Sequence, residues 1–266
     1  MEANAQTAIP PYVKRDARDG VVTLTLDRGE RFNPLSSAMV LALESELDAL
    51  SSDETARVVV LAGAGRGFCA GHDLKEMRAH SADKAWQQKL FADCNRMMLK
   101  LTELPQPVIA RVHGIATAAG CQLVSMCDLA VAAEDARFAL PGVNVGVFCS
   151  TPAVGVVRNV GRKRSMEMLL TGDLYDARTA LAWGLVNRVV PADKLDAEVA
   201  RFAEVIRARS RSIVAAGKRA FYQQIDRPLP GAYAVAGESM ACNLSHEDAA
   251  EGIDAFLGKR PARWRT

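Results

Sequence analysis

Two stretches of this 266-residue chain share one layout. "VVVLAGAGRGFCAGHDLKEM" (58–77) and "PVIARVHGIATAAGCQLVSM" (107–126) each begin with a short, unbroken, β-branched apolar run. A turn of small residues follows, and then a helix start. Apolar runs without polar alternation mark strands buried on both faces, and such strands need helices on either side. Alternation of such strands with helices predicts an α/β core. A helix start leaves backbone N–H groups unpaired and carries partial positive charge. Two such starts aimed at one point would cradle a developing oxyanion. Gly71, Ala118, Ala119 and Gly120 are small enough for a ligand to approach the backbone closely. Each turn taken singly is also consistent with plain strand-to-helix punctuation. "GAGRG" (63–67) has neither the Gly-Lys-Ser/Thr ending of a phosphate loop nor a GxGxxG frame.

The rest of the chain extends this pattern. Strands are predicted at 20–27, 57–63, 107–114 and 128–133, and helices at 37–50, 73–77, 82–104 and 118–126. Asp73 reads as the N-cap of the second helix, and Pro105 and Pro107 stop the third. From about residue 150 helices dominate: 151–158, 163–170, 176–182, 195–208, 211–225, 232–242 and 247–257. The expected partition is an N-terminal arm with a first strand (1–19), an α/β core (20–195) and a helical C-terminal region (196–266). "DRPLPGA" (226–232) is the expected hinge among the last helices.

Composition removes several classes of function. The formal net charge of +2 offers no broad field for nucleic acid. No apolar run reaches the ~18–20 residues that span a bilayer. "MEANAQTAIPP" lacks the basic-then-apolar order of a secretory leader and reads as a loose arm. The six cysteines form no CxxC pair, so free thiols in a reducing cytoplasm are expected. The four histidines have no metal-ligand spacing, and neither a metal nor a tightly bound cofactor is expected.

"FCAGHDLKEM" (68–77), "GCQLVSMCDLAVAAEDARFALP" (120–141), "MEMLLTGDLYDARTALAWGLVNRVVP" (166–191) and "EGIDAFLGKRPARW" (251–264) resemble the enoyl-CoA hydratase/isomerase (crotonase) superfamily. "LDRGERFNPLSSAMVLALESELDAL" (26–50) does so as well, and the order and spacing hold over nearly the whole chain after residue 20. The resemblance implies a crotonase-like ββα superhelix core with a helical C-terminal trimerisation region, assembled as a homotrimer or a dimer of trimers. It implies a coenzyme A thioester as substrate, its enolate stabilised by the backbone N–H groups of His72 and Ala119. CoA would run along residues 28–32 and past "AGHDLK" (70–75), bringing Arg31, Ala70, Gly71, Asp73, Leu74 and Lys75 into contact. Phe256 and Lys259 match an aromatic and a lysine that hold CoA, often from a neighbouring subunit; a packed core ring and a solvated basic tail are the alternatives.

The chain departs from the hydratase pattern at two positions. Hydratases of this family use two glutamates, one activating water and one delivering a proton to the α-carbon. Their positions here hold Gln122 and Gly142. An amide does not titrate near neutral pH, and glycine brings no side chain. A positioned acid or base contributes roughly 10²–10⁴-fold, so hydration is expected to be weak or lost. Cys149, Ser150 and Thr151 in "GVFCSTP" (146–152) are the nearby candidates for proton relay or covalent work, Cys149 requiring a helix start to lower its pKa. His113, Glu134 and Asp135 read as structural. The functions left open are an altered acyl-CoA enzyme (decarboxylase, thioesterase or isomerase), a non-catalytic acyl-CoA binder, and a structural subunit.

Overall fold

A computed structural model describes residues 11–265. The first ten residues of the arm lie outside the described residues. Nine strands are present among them: β1 (Val13–Arg18), β2 (Val21–Leu26), β3 (Val58–Gly63), β4 (Val108–Val112), β5 (Ile115–Thr117), β6 (Leu129–Ala133), β7 (Arg137–Ala139), β8 (Tyr175–Asp176) and β9 (Arg188–Val190). The α-helices are α1 (Ser37–Ser51), α2 (Leu74–Ala79), α3 (Lys84–Glu103), α4 (Ala119–Met126), α5 (Ser150–Val160), α6 (Arg162–Thr171), α7 (Ala177–Trp183), α8 (Leu195–Arg207), α9 (Arg211–Gln224), α10 (Leu229–Leu244) and α11 (Glu247–Leu257).

The main sheet has six strands in the order β1-β2-β3-β4-β6-β9. Only the β1–β2 hairpin is antiparallel; the other neighbours run parallel. The apolar runs sit as their composition requires. Along β3, Val59 and Leu61 enter the large core with α1, α3 and α4, while Val58 and Val60 enter a second cluster with Leu195, Val199 and Ala203 of α8. A strand that feeds two cores has no position for a polar side chain. Helix α8, placed by the sequence in the C-terminal region, thus packs on the core sheet.

Three short strands missed in sequence make a second sheet, β5-β7-β8. Each is only two or three residues long, too short to display a period. The expected hinge at 226–232 is also corrected: α10 begins at Leu229 with Pro230 in its first turn. Proline is tolerated there because its missing N–H would be unpaired anyway. Helix α9 is anchored from below. The Lys218 ammonium donates to the Leu101 and Gln106 carbonyls at 2.9 Å each and meets Asp128 at 2.7 Å. No described helix is long and apolar enough to cross a membrane.

One buried side chain ties the loop before α1 to the turn after β3. Asn33 is in the left-handed region (φ 51°) and fully buried. Its Oδ1 accepts from Arg28 N–H at 2.8 Å, and its Nδ2 lies 2.9–3.0 Å from the carbonyls of Ala64, Gly67 and Phe68. Asparagine tolerates this φ and satisfies both loops at once. Replacing it by alanine orphans several buried groups. Asn33→Ala is expected to lower stability by about 2–4 kcal/mol, read as a reduced urea midpoint with an unchanged slope.

Candidate active site

Strands β3 and β4 are parallel neighbours, with Val59 opposite Val108 and Ala62 opposite Arg111. Their C-terminal ends therefore lie at the same edge of the sheet, and so do the two small-residue turns that follow. The turns are stitched together directly. Cys69 N–H donates to Ile115 O at 3.0 Å, Thr117 N–H to Cys69 O at 2.9 Å, and Thr117 Oγ1 to Ala70 O at 3.1 Å. Gly71 (φ 93°) sits against the second turn: a Cβ there would lie 2.8 Å from the Ala118 Cβ and 3.2 Å from Ala119 N. Both its conformation and its neighbours require glycine.

The first turn bridges to Leu35 in parallel fashion, Leu35 N–H donating to Gly71 O at 2.8 Å and Asp73 N–H to Leu35 O at 3.4 Å. Those bonds flank His72, so its own N–H points to the other side. Asp73 then caps α2 through Lys75 and Glu76 N–H and pairs with Arg31 at 2.7 Å. On the second turn, Ala118 holds φ 49°, ψ −120° and donates its N–H to Ala139 O at 2.9 Å. A non-glycine residue in that region stores about 1–3 kcal/mol of strain. It turns Ala119 into the first residue of α4, where no intrahelical acceptor exists. No described residue accepts a hydrogen bond from His72 N–H or Ala119 N–H.

A cavity of about 510 Å³ opens at this spot. Ala70, His72, Ala118 and Ala119 form its base, and Leu74, Met77 and Phe91 one wall. The opposite wall is the segment from Pro141 to Pro152, including Gly142, Val145, Val147, Phe148 and Cys149. No aspartate, glutamate, lysine or arginine lines it. The His72 ring is held by Leu35 O, 3.1 Å from Nδ1, and meets Phe91 edge to face. The proton thus resides on Nδ1. Burial lowers the imidazole pKa from its ordinary value, which keeps the ring neutral.

Of the residues singled out in sequence, Ala70, His72, Leu74, Ala118, Ala119, Gly142, Cys149, Ser150 and Thr151 meet in the cavity. Gly71 and Asp73 support its base, and Arg31 reaches it through Asp73. Lys75 is exposed on α2. Phe256, 82% exposed, and Lys259 stand at the far end of α11 and do not line this cavity in a single chain. Gln122 differs from expectation. It is only 4% exposed, does not line the cavity, and its Oε1 has no hydrogen-bond partner. Cys149 precedes α5, as expected, but makes no capping bond. Burial pushes its thiol pKa up, only partly offset by a backbone hydrogen bond from Gly142. The thiol is therefore not an activated nucleophile. His113 bonds Gly65 O at 2.9 Å, and Glu134 pairs with Arg178 at the surface, both structural.

Gly142 is where the wall is decided. A Cβ there would lie 2.4 Å from Val147 O and 2.8 Å from Cys149 Sγ. The segment after it folds back, with Val147 N–H donating to Gly142 O at 2.9 Å. No side chain, least of all a glutamate, fits this position without moving the wall. Sequence reasoning missed Phe91, which reads as one more apolar position of α3, and Asn33, whose signal was the Asn-Pro pair in "RFNPLS".

Comparisons with known proteins agree with this geometry. The sequence profile of the enoyl-CoA hydratase/isomerase family matches residues 16–266. The mouse mitochondrial enoyl-CoA hydratase domain-containing protein 3 is 43% identical over 255 residues, 96% of this chain and 85% of that protein. The crystal structure of an enoyl-CoA hydratase from Mycobacterium smegmatis is 55% identical with a TM-score of 0.94, over 96% of this chain and all of that one. Human enoyl coenzyme A hydratase domain-containing protein 3 is 40% identical with a TM-score of 0.92, over 95% of this chain and all of that one. A matching fold and a match along nearly the entire length place this chain in the enoyl-CoA hydratase/isomerase (crotonase) family.

Proposed function

We propose that the protein binds acyl-CoA thioesters with the thioester oxygen between His72 N–H and Ala119 N–H, and that it hydrates enoyl-CoA weakly or not at all. The observation that carries this reading is a cavity floored by two unpaired N–H groups and lined by no carboxylate. An enolate oxygen gains from both donors as charge develops, each worth on the order of 10²–10³-fold. Water addition needs a base for the water and an acid for the α-carbon. Gln122 is sealed off and untitratable, Gly142 has no room for a side chain, and the Cys149 thiol stays protonated. For thioester hydrolysis no carboxylate base is present either, and the unpartnered Nε2 of the neutral His72 ring is the remaining basic atom of a cavity-lining side chain.

A second reading is favoured by the apolar wall. Decarboxylation of a malonyl-type thioester needs an oxyanion site but no base: the C–C bond breaks, CO₂ leaves, and its electron pair forms the enolate. An uncharged wall disfavours the carboxylate more than neutral CO₂. Assembly as a trimer or dimer of trimers belongs to the same proposal. It is supported by the apolar side chains exposed on α9–α11, among them Phe221, Leu229, Tyr233 and Phe256. All described cysteines are free thiols, which suits a reducing compartment such as the cytoplasm.

Incubation with crotonyl-, malonyl- and methylmalonyl-CoA followed by mass spectrometry tests the reaction. Crotonyl-CoA hydration is expected at least about 10²-fold below a family member that keeps both glutamates. Hydration at that member's rate would defeat the reading, and CO₂ release would select the second one. Gly71→Ala tests the oxyanion floor. The substitution is expected to cost about 1–3 kcal/mol of stability and to weaken butanoyl-CoA binding more than free CoA binding in titration calorimetry. Equal losses for the two ligands would place the thioester oxygen elsewhere.

A further inference from the structure

We propose that the acyl group this site is built for is a long, uncharged, apolar chain, eight carbons or more, and that Val145 and Phe148 set this preference. The inference rests on the acyl-CoA reading above and names the substrate class within it. Three observations support it. First, the cavity is too large for a short chain. A methylene takes about as much space as a water, on the order of 30 Å³. A four-carbon acyl group takes roughly 120 Å³ of the 510 Å³, an eight-carbon chain roughly 240 Å³ and a twelve-carbon chain roughly 360 Å³, so longer chains fill progressively more of it. Second, the cavity walls offer a charged chain end no opposite full charge, only the Asn144 amide and the Ser150 and Thr151 hydroxyls. They carry no lysine, arginine, aspartate or glutamate, and the buried His72 ring is neutral. Third, the wall continues outward as a strip of exposed apolar side chains: Leu74 at 57%, Val145 at 58% and Phe148 at 46% exposure, with Val147 beside them. That strip is continuous with the oxyanion floor, since all four residues line the same cavity.

The local fold explains why the strip is there. Gly142 lets the segment 143–149 fold down, with its backbone against the place a Cβ would take. Gly146 (φ 75°) closes the bend through its N–H to Val143 O at 3.3 Å, and Asn144 Nδ2 ties the segment to Gly172 O at 3.3 Å. The result presents Val145, Val147 and Phe148 to the cavity. The residue whose loss removes a proton donor is therefore also the residue that lets an apolar wall take its place. A chain lying along this wall removes both its own methylenes and the exposed side chains from water. Each methylene so buried strengthens binding by up to about fourfold.

Titration calorimetry of the full-length protein with free CoA and with the saturated butanoyl, octanoyl and dodecanoyl thioesters tests this. Affinity is expected to rise at least about tenfold from butanoyl to octanoyl. An eight-carbon chain ending in a carboxylate is expected to lose that gain. Both substituted side chains are exposed, so Val145→Ser and Phe148→Ser are expected to fold and to flatten the gradient while leaving free CoA affinity in place. A flat or falling series in the unaltered protein overturns the proposal. So does a steep series that both variants retain, or a carboxylate-tipped chain that binds as well as octanoyl. If neither CoA nor any thioester binds, the acyl-CoA reading itself fails, which is a different outcome from a flat series.

Discussion

The parallel register of β3 and β4 is the constraint on which the site depends. Parallel neighbours end at one edge, so whatever follows them is delivered to the same place. Ligands of open α/β sheets collect at that edge for this reason. Here it receives two turns that each leave a backbone N–H without a partner. Asn33 holds one of them to the loop before α1, and the second sheet holds the other through Ala118 N–H and Ala139 O. The strain at Ala118 is confined to a residue fixed on both sides by these contacts. An observed outlier in such a position is what a preorganised binding turn looks like.

Much of the fold was legible because it rests on strong periodic signals. The unbroken apolar run of β3 announced a buried strand, and the two clusters that share β3 bear this out. Asp73 could be read as a cap from its place before "LKEM", and it accepts from Lys75 and Glu76 N–H. The second sheet was not legible. Its strands of two or three residues form only because the turns between β4, β6 and α7 are already close. Convergence of the two turns is a property of strand pairing, which residue spacing does not encode.

The site was legible at its backbone and less so at its side chains. His72 and Ala119 came from the family resemblance, and the structure brings both to one cavity with their N–H groups unpaired. Gln122 illustrates the limit: a place three residues along α4 from Ala119 suggested a side chain facing the cavity, yet the amide is sealed with its Oε1 unpaired. Helical spacing fixes which face a residue occupies, while neighbouring elements decide what covers that face. Gly142 could be read from sequence only as an absent glutamate. Its other consequence, the wall that folds over it, depends on where Val147 and Cys149 lie in space.

These two levels separate family membership from the reaction proposed for this chain. The position of backbone N–H groups such as those of His72 and Ala119 depends on φ, ψ and strand register, so side-chain changes around them leave it standing. Proton transfer depends on titratable side chains, which one substitution removes. At Gly142 the two effects are coupled: removing the side chain both deletes an acid and admits the apolar segment 143–149. A carboxylate there would need that segment to retreat, at the cost of exposing Cys149. Packing around Gly142, and not only the residue type there, thus stands against a carboxylate at this position.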